Sequence, residues 1–319
     1  MTQKASYQGT AAGCRDHPWV GGVLVHPFGC GHSLQHLPAG IKEGCVGPRF
    51  SRDRQRVSRM SSNQESYVMS DKWEVYFAPV DEEPAAILVD LGIAETAPDT
   101  DRPILLWVLV PMLSPDDNGF ATEEEEPRLT ELEDAFIDAV ELTTGAILVG
   151  RMTTCGRRAF YFYAKSTEGF EDTISEAMEK FEDYEFETGS QEDEEWLQYF
   201  NVLYPGPEDE QQIFNRQVIE RLTDSGDLLK KPRPVTHHAS FKTPEDRDEF
   251  LKALPAGEYK IKDQSFDDDD ECEWPYTVSL ERISPVDWET IEEITFELFD
   301  LANEFEGEYD GWGSPVVRA

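Results

Sequence analysis

The chain has 319 residues, of which 66 are acidic and 28 are basic, so its formal charge is −38 at neutral pH. Proteins that bind DNA, RNA or anionic lipid through phosphates need clustered lysine and arginine, and a surface this acidic repels those partners. The charge therefore excludes this mode of nucleic-acid or membrane binding and favours cations or basic protein surfaces. A hydrophobic content of 39%, with seven Trp, eleven Tyr and eighteen Phe, predicts a folded chain.

The apolar runs and the cysteines indicate the compartment. Runs such as Ile104–Pro111 fall far short of the ~20 residues that a membrane-spanning helix needs. Only Cys155 and Cys272 of the five cysteines lie after residue 59, which gives no disulfide framework and fits a reducing compartment. We therefore expect a cytoplasmic protein.

Residues 1–69 are predicted to form a disordered leader, or to lie upstream of a genuine start at Met60 or Met69. The first 59 residues carry eight basic and three acidic side chains and nine of the 22 glycines, with no apolar core for a signal peptide. A zinc site is the less favoured alternative, because the spacing of the ligand-type residues matches no regular finger. Those residues are Cys14, His17, Cys30, His32, His36 and Cys45.

Residues 70–204 have the pattern of an α+β domain of unknown function. Short β-rich runs between proline-rich and polar turns predict strands at Trp73–Ala78, Ala85–Asp90 and Ile104–Val110. Two later runs joined by a polar turn predict a hairpin of Ala146–Met152 and Ala159–Ala164. We expect these strands to form a sheet that the helices of the domain cover.

Two amphipathic helices are predicted in the same domain. The first is expected to have Thr122 as its cap, Pro127 in its first turn and Gly145 at its end. The second is expected to begin at Ser166. The aromatic segment Trp196–Leu203 is either a further strand or a cover for the sheet.

A boundary is predicted near residue 205, because Tyr204-Pro205-Gly206-Pro207 interrupts any regular element. A lead-in helix over Glu208–Leu222 follows, and the remaining elements have the β-α-β-β-α-β order of a ferredoxin-like domain in residues 205–319. They are Pro234–Phe241, Pro244–Leu254, Tyr259–Gln264, Tyr276–Ile283, Pro285–Phe305 and Glu308–Trp312. The fold class predicted for the protein is therefore α+β, with two α/β-sandwich domains.

The last predicted helix is the most regular of the chain. Ser284 is expected to cap it, Pro285 to lie in its first turn and Gly307 to end it. Its apolar positions fall on one face, which we expect to be buried. They are Trp288, Ile291, Ile294, Leu298, Leu301 and Phe305.

The segment after that helix carries a resemblance to a known family. Glu308 is followed by Tyr309-Asp310-Gly311-Trp312-Gly313, and earlier His237-His238 precedes the charged segment Pro244–Asp248. In these features, residues 208–317 resemble the regulator of ribonuclease E activity B family. The resemblance implies a non-catalytic domain that binds ribonuclease E and reduces RNA cleavage by acting on the enzyme.

The Tyr-Asp-Gly-Trp-Gly segment has two possible roles. Its glycines permit backbone angles closed to other residues, and Asp310 is suited to accept backbone hydrogen bonds in a turn. Tyr309 and Trp312 either cover the end of the sheet or anchor a partner, and both roles are compatible. The candidate partner-binding residues are Tyr309, Asp310, Gly311, Trp312, Gly313 and His238. Adjacent strand residues point to opposite faces, so His237 and His238 are not expected to bind one metal ion.

The acidic runs Asp267–Glu271 and Glu192–Glu195 are predicted to be solvated loops. A calcium site in the first run is the less favoured alternative, because a calcium loop spaces its ligands and turns on glycine. Cys155 lies beside Gly156 and two arginines, but a reactive thiol is the less favoured reading there.

The upstream domain resembles a second, uncharacterised family. The residues that carry this resemblance are Val149-Gly150-Arg151, Thr154, Gly156-Arg157-Arg158 and Phe160-Tyr161-Phe162-Tyr163. No activity follows from it. Arg151, Arg157 and Arg158 are candidates to bind an anion or a carboxylate of the neighbouring domain, and intramolecular salt bridges are the favoured alternative.

The predicted body contains no Ser/His/Asp order, phosphate-binding glycine loop or metal-ligand set, so we expect no enzyme, no cofactor and no metal. The expected function is an acidic regulator that binds and inhibits ribonuclease E or a related RNA-processing enzyme, without contacting nucleic acid or membrane. One alternative is an acidic inhibitor or immunity-type binder of another basic protein. A second is an enzyme that uses carboxylates and a divalent cation.

Overall fold

The computed structural model describes residues 70, 72–268 and 272–318. The chain divides between Tyr204 and Pro205 into two compact units, called here the N-terminal and the C-terminal domain. The leader, with its disorder prediction, its alternative starts and its zinc alternative, lies outside the described residues. Residues 269–271 of the acidic run also lie outside them.

The N-terminal domain is one antiparallel sheet with helices on one face. In its described part the strands are β1 (Trp73–Val80), β2 (Glu83–Asp90), β3 (Ile104–Pro111), β4 (Ile147–Thr154), β5 (Arg157–Ala164) and β6 (Glu187–Glu192). The helices are α1 (Glu126–Thr144) and α2 (Phe170–Met178). The strand order is β1-β2-β4-β5-β3-β6, and the predicted hairpin is formed by β4 and β5.

Both faces of this sheet are covered. The apolar stripe of α1 packs on it, with the rings of Phe136 and Phe160 4.7 Å apart and edge to face. On the other face the Trp196 ring stacks on Tyr163 at 3.9 Å, and the Tyr199 hydroxyl donates to the carbonyl of Asp90 at 2.7 Å. The segment predicted as either strand or cover is therefore the aromatic cover.

Both helices of this domain begin later than predicted, although Pro127 lies in the first turn of α1, as expected. α1 begins at Glu126 with no side-chain cap, so Thr122 does not cap it; the carboxylate of the preceding Glu125 instead accepts hydrogen bonds from the backbone N–H groups of Leu113 and Ser114, both at 2.7 Å. α2 begins at Phe170, after Gly169, and not at Ser166. The end of α1 is as predicted, since Gly145 adopts a left-handed φ of 66° there.

The C-terminal domain has the predicted ferredoxin-like order. After the lead-in helix α3 (Pro207–Asp224) come β7 (Arg233–Phe241), α4 (Pro244–Ala253), β8 (Lys260–Phe266), β9 (Tyr276–Ser284), α5 (Trp288–Glu304) and β10 (Gly307–Gly313). The strands form an antiparallel sheet in the order β10-β7-β9-β8. This arrangement confirms the fold class predicted from the sequence.

The start of α5 differs from its prediction. The cap is Asp287, whose carboxylate accepts from the N–H of Thr290 at 3.4 Å, while Ser284 still belongs to β9. α5 therefore begins at Trp288, three residues after the start predicted at Pro285. Trp288 lies in the first turn and is 37% exposed, so the predicted buried stripe begins at Ile291.

Candidate functional site

Within the described residues of the C-terminal domain, the helices pack on one face of its sheet and leave the other face without a helix. Along β7 the odd-numbered residues from Arg233 to Phe241 are buried against the helices, so the even-numbered ones point to the other side. The cross-strand register extends this side, called here the open face, over all four strands. Its residues on β7, β9 and β10 are Pro234, Thr236, His238, Ser240, Thr277, Ser279, Glu281, Ile283, Glu308 and Asp310.

Hydrogen bonds between strands hold the open face in one arrangement. The hydroxyl of Ser279 lies 2.9 Å from Nδ1 of His238. The hydroxyl of Ser240 donates to the carboxylate of Asp310 at 2.5 Å, across the bulge in β10. The face therefore presents hydroxyls, carboxylates and one exposed imidazole. Two predicted candidates, His238 and Asp310, lie on it.

Of the remaining candidates of the Tyr-Asp-Gly-Trp-Gly segment, Tyr309 and Trp312 lie on the buried side, Gly311 ends the bulge, and Gly313 pairs with Thr236 of the open face. Tyr309 is 6% exposed, and its hydroxyl lies 2.8 Å from Nδ1 of His237. Burial lowers the pKa of His237 to about 3 and raises that of Tyr309 well above its usual value. Both groups are therefore neutral at physiological pH, and His237 has no solvent-exposed surface.

The two glycines of the segment have different roles. Gly311 has a φ of +105°, and a Cβ on it would lie 2.9 Å from Cε1 of Phe214. A side chain at this position is therefore excluded twice, by the backbone angle and by space. Gly313 has an ordinary φ and open space around it.

Trp312 belongs to a buried network that we call the amide network, formed by Gln211, Asn215, Glu292, Thr295 and Trp312. The indole N–H of Trp312 donates to Oδ1 of Asn215 at 2.8 Å, and Nε2 of Gln211 donates to the same oxygen at 2.8 Å. Nδ2 of Asn215 donates to Thr295 at 2.7 Å and to Glu292 at 3.2 Å. The network thus joins α3, α5 and β10.

Glu292 is the ionisable member of the amide network. Burial raises its pKa to about 7, and the hydrogen bond from Asn215 opposes that shift only in part. Sequence reasoning missed the network, because a single amide on an amphipathic helix such as α3 does not show which strand its side chain will meet. The only signal was Trp312 itself, whose buried indole N–H needs an acceptor.

The three candidate arginines of the N-terminal domain separate into two environments. Arg151 and Arg158 are 5% and 3% exposed, whereas Arg157 is exposed at the start of β5. Nη1 of Arg151 lies 2.5 Å from Glu133, and Nη2 of Arg158 lies 2.7 Å from Glu126. We call these four residues the arginine–glutamate cluster. Both buried arginines thus pair with carboxylates of α1, in their own domain.

The structure also locates the two acidic runs, in their described parts, and Cys155. Asp193, within the acidic run predicted to be solvated, is instead buried: its carboxylate accepts from the hydroxyl of Tyr163 at 2.5 Å and from two backbone N–H groups. Asp267 and Asp268 are exposed, as predicted for their part of the other run. Cys155 occupies the turn between β4 and β5 with a φ of 49°.

Neither a metal centre nor a membrane span is found in the part of the chain that the structure describes. No three His, Cys, Asp or Glu residues of that part are grouped so that they could hold a metal ion. Its helices are all too short or too polar to cross a membrane.

The C-terminal domain is thus a ferredoxin-like domain with one open, polar and partly acidic sheet face. Residues 212–314 match the family described as regulator of ribonuclease activity B. Residues 71–204 match a family of unknown function, DUF695. Both resemblances read from the sequence are therefore confirmed, in the predicted order.

No curated protein matches the chain. Among solved structures, the crystal structure of an unknown protein from Galdieria sulphuraria is similar at 10% identity, covering 67% of this chain and 99% of that one. The TM-score of this pair is 0.20, which does not establish a common fold.

Proposed function

We propose that this protein is a non-catalytic regulator whose C-terminal domain binds a basic segment of ribonuclease E, or of a related RNA-processing enzyme, and inhibits RNA cleavage. The observation that carries the proposal is the acidic open face of the domain that matches the regulator family. His238, Glu308 and Asp310 are proposed to contact the partner there, and the protein to act in the cytoplasm.

The chemistry of the open face favours a protein partner over RNA. Single-stranded RNA is bound by a positively charged groove with aromatic side chains on which bases stack. On β7, β9 and β10 the open face carries three carboxylates and no arginine, lysine or aromatic side chain; the carboxylates are Glu281, Glu308 and Asp310. β8 adds Asp263 and the lysines Lys260 and Lys262 to this face, and Lys262 is paired with Glu281, so carboxylates outnumber lysines there by four to two. The whole chain has a formal charge of −38, which steers it toward arginine-rich protein segments and allows competition with RNA for them.

The buried candidates have a supporting role in this proposal. Tyr309 and Trp312 hold β10 against His237 and the amide network, which places Asp310 and Glu308 on the open face. A partner contact by the Tyr309 or Trp312 side chain would require the strand to open, because both are nearly inaccessible. Of the three arginines that are candidates to bind an anion, Arg157 is the exposed one, so we propose that role for Arg157.

Affinity capture identifies the partner. The tagged full chain is immobilised on resin and incubated with a nuclease-treated lysate of its host. The proteins that stay bound are identified by mass spectrometry. Retention of ribonuclease E without RNA is the expected result. Retention of a different basic protein would instead favour an inhibitor or immunity-type binder, and loss of all binding would reject both.

A direct titration then tests the site. Binding of the purified enzyme to the full chain should weaken steeply from low to physiological salt, and the Glu308→Lys variant should raise the dissociation constant about threefold or more. Glu245→Lys makes the same charge change at an exposed position on α4 and is the matched control. Equal effects of the two changes would show that net charge acts without the open face.

A further inference from the structure

The two edge strands of the C-terminal sheet differ in how far other elements cover them. β10, at one edge, is covered by α3 and α5, with Gly311 against Phe214 and Trp312 bonded to Asn215. β8, at the other edge, has all seven of its residues exposed. In an antiparallel strand every second residue directs its N–H and C=O to the neighbouring strand, so the outward groups of β8 lack a strand partner within the described residues.

β8 also exposes apolar side chains. Ile261 and Phe266 are 46% and 57% exposed and lie across from Leu280 and Tyr276, on the helix side of the sheet. The Phe266 ring packs against the Tyr276 ring, with the two ring centroids 4.9 Å apart. Helices cover the helix side of β7, β9 and β10 but stop short of β8, which leaves an uncovered strip one strand wide.

The order of residues along β8 is complementary to itself when reversed. Lys260 and Ile261 stand at its start, and Phe266 and Asp267 at its end. We infer that two copies of this chain associate through β8, edge to edge and antiparallel, which joins the two four-stranded sheets into one. The pairing is centred on Gln264, and Lys262 is the extra residue of the bulge in β8 and is not counted. Ile261 of each copy then lies across from Phe266 of the other.

The same pairing brings together opposite charges. In the same register, with the bulge residue between Ile261 and Asp263 left out, Lys260 of each copy lies across from Asp267 of the other. Opposite charges directly across two strands stabilise their pairing by about 0.2–1 kcal/mol per pair. Lys262 is held beside Glu281 at 2.8 Å on its own chain, next to the new junction.

A second copy fits this edge better than an unrelated basic segment does. A basic segment would complement Asp267 and Asp268 but would meet Lys260 and Lys262 at the other end of β8, whereas a reversed second β8 complements both ends. The formal charge of −38 on each chain opposes association over long distances. This repulsion is screened at a Debye length of about 8 Å in physiological salt, so association should strengthen with salt.

Sedimentation equilibrium of the full chain tests the inference. Wild-type protein in physiological salt should reach twice the single-chain mass of 36.3 kDa as its concentration is raised. Lys260→Glu and Asp267→Lys should each raise the dimer dissociation constant about tenfold, because each reversal creates two like-charge contacts. An equimolar mixture of the two variants should recover the wild-type constant, since each then supplies the charge that the other needs.

Controls separate the edge from the rest of the domain. Ile283→Lys introduces a charge at an exposed apolar residue of the open face and should leave the dimer intact, while Phe266→Lys should weaken it. Circular dichroism and thermal unfolding of each variant check that the fold is retained. A wild-type chain that stays at single-chain mass overturns the inference, as does a mixture that does not recover or a dimer lost equally through Ile283→Lys. None of these results depends on the ribonuclease partner.

Discussion

The two domains bury polar side chains in different ways. The arginine–glutamate cluster places two positive charges against two carboxylates under α1. The His237–Tyr309 pair is neutral, and the amide network contains one ionisable group, Glu292, whose pKa is raised to about 7. In a buried charged cluster, each charge offsets the desolvation free energy of its partner. Loss of one member therefore leaves an uncompensated buried charge. Loss of a member of a neutral network leaves only an unmet hydrogen bond.

Glu133→Gln should have the largest effect on stability. It removes the charge that compensates Arg151 and that lies 3.7 Å from Nη1 of Arg158, and breaking such a buried pair costs about 3–5 kcal/mol. Urea denaturation of the full chain measures the difference. Glu131→Gln, on an exposed position of the same helix, is the control, with an expected cost under about 0.5 kcal/mol. Equal costs would contradict a charge-compensating role for Glu133.

Gly311→Ala should rank next. The added Cβ would meet Phe214 at 2.9 Å and require a backbone φ of +105°, which together should cost about 2–4 kcal/mol. Gly313→Ala, two residues later in the same segment, meets no atom within 4 Å and should change stability by less than about 1 kcal/mol. Thermal unfolding compares the two variants, and similar melting temperatures would refute the distinction between these glycines.

Glu292→Gln should alter the pH dependence of stability. The folded-state pKa of about 7 exceeds the usual value of 4.5, so the stability contributed by protonated Glu292 is present below pH 4.5 and is lost as the pH rises through 7. A permanent amide avoids this loss, and the variant should gain about 1–3 kcal/mol relative to wild type between pH 5 and pH 8. Denaturation at several pH values measures this gain; parallel curves would show that Glu292 is ionised in the folded state.

Tyr309→Phe should have the smallest effect. It removes one hydrogen bond to His237 and keeps the buried ring, so we expect a cost of about 0.5–1.5 kcal/mol. Tyr276→Phe is the control: it removes a hydroxyl of the same sheet that makes no hydrogen bond within the described residues, and it should cost a few tenths as much. A cost as large as that of Glu133→Gln would show that the neutral pair is energetically equivalent to the charged cluster.

Element types were largely readable from the sequence, but element starts were not. The β4–β5 hairpin and the ferredoxin-like order follow from apolar runs and turn residues, which depend on neighbouring positions only. The caps predicted at Thr122 and Ser284 are wrong: α1 begins only after Glu125, whose carboxylate binds the loop after β3, and β9 continues through Ser284. The strand β6 was missed, since its polar sequence lacks a β signal and its pairing with β3 supplies the structure.

The candidate residues show the same division. The sequence alone determined the acidity of the chain, the order of its elements and the motifs of both families, because these depend on composition and on local spacing. Only the tertiary structure decided that Arg151 and Arg158 are buried beside Glu133 and Glu126, that Trp312 meets Asn215, and that His238 and Asp310 share an open face. Those contacts join residues far apart in the chain, and the packing of helices on sheets brings them together.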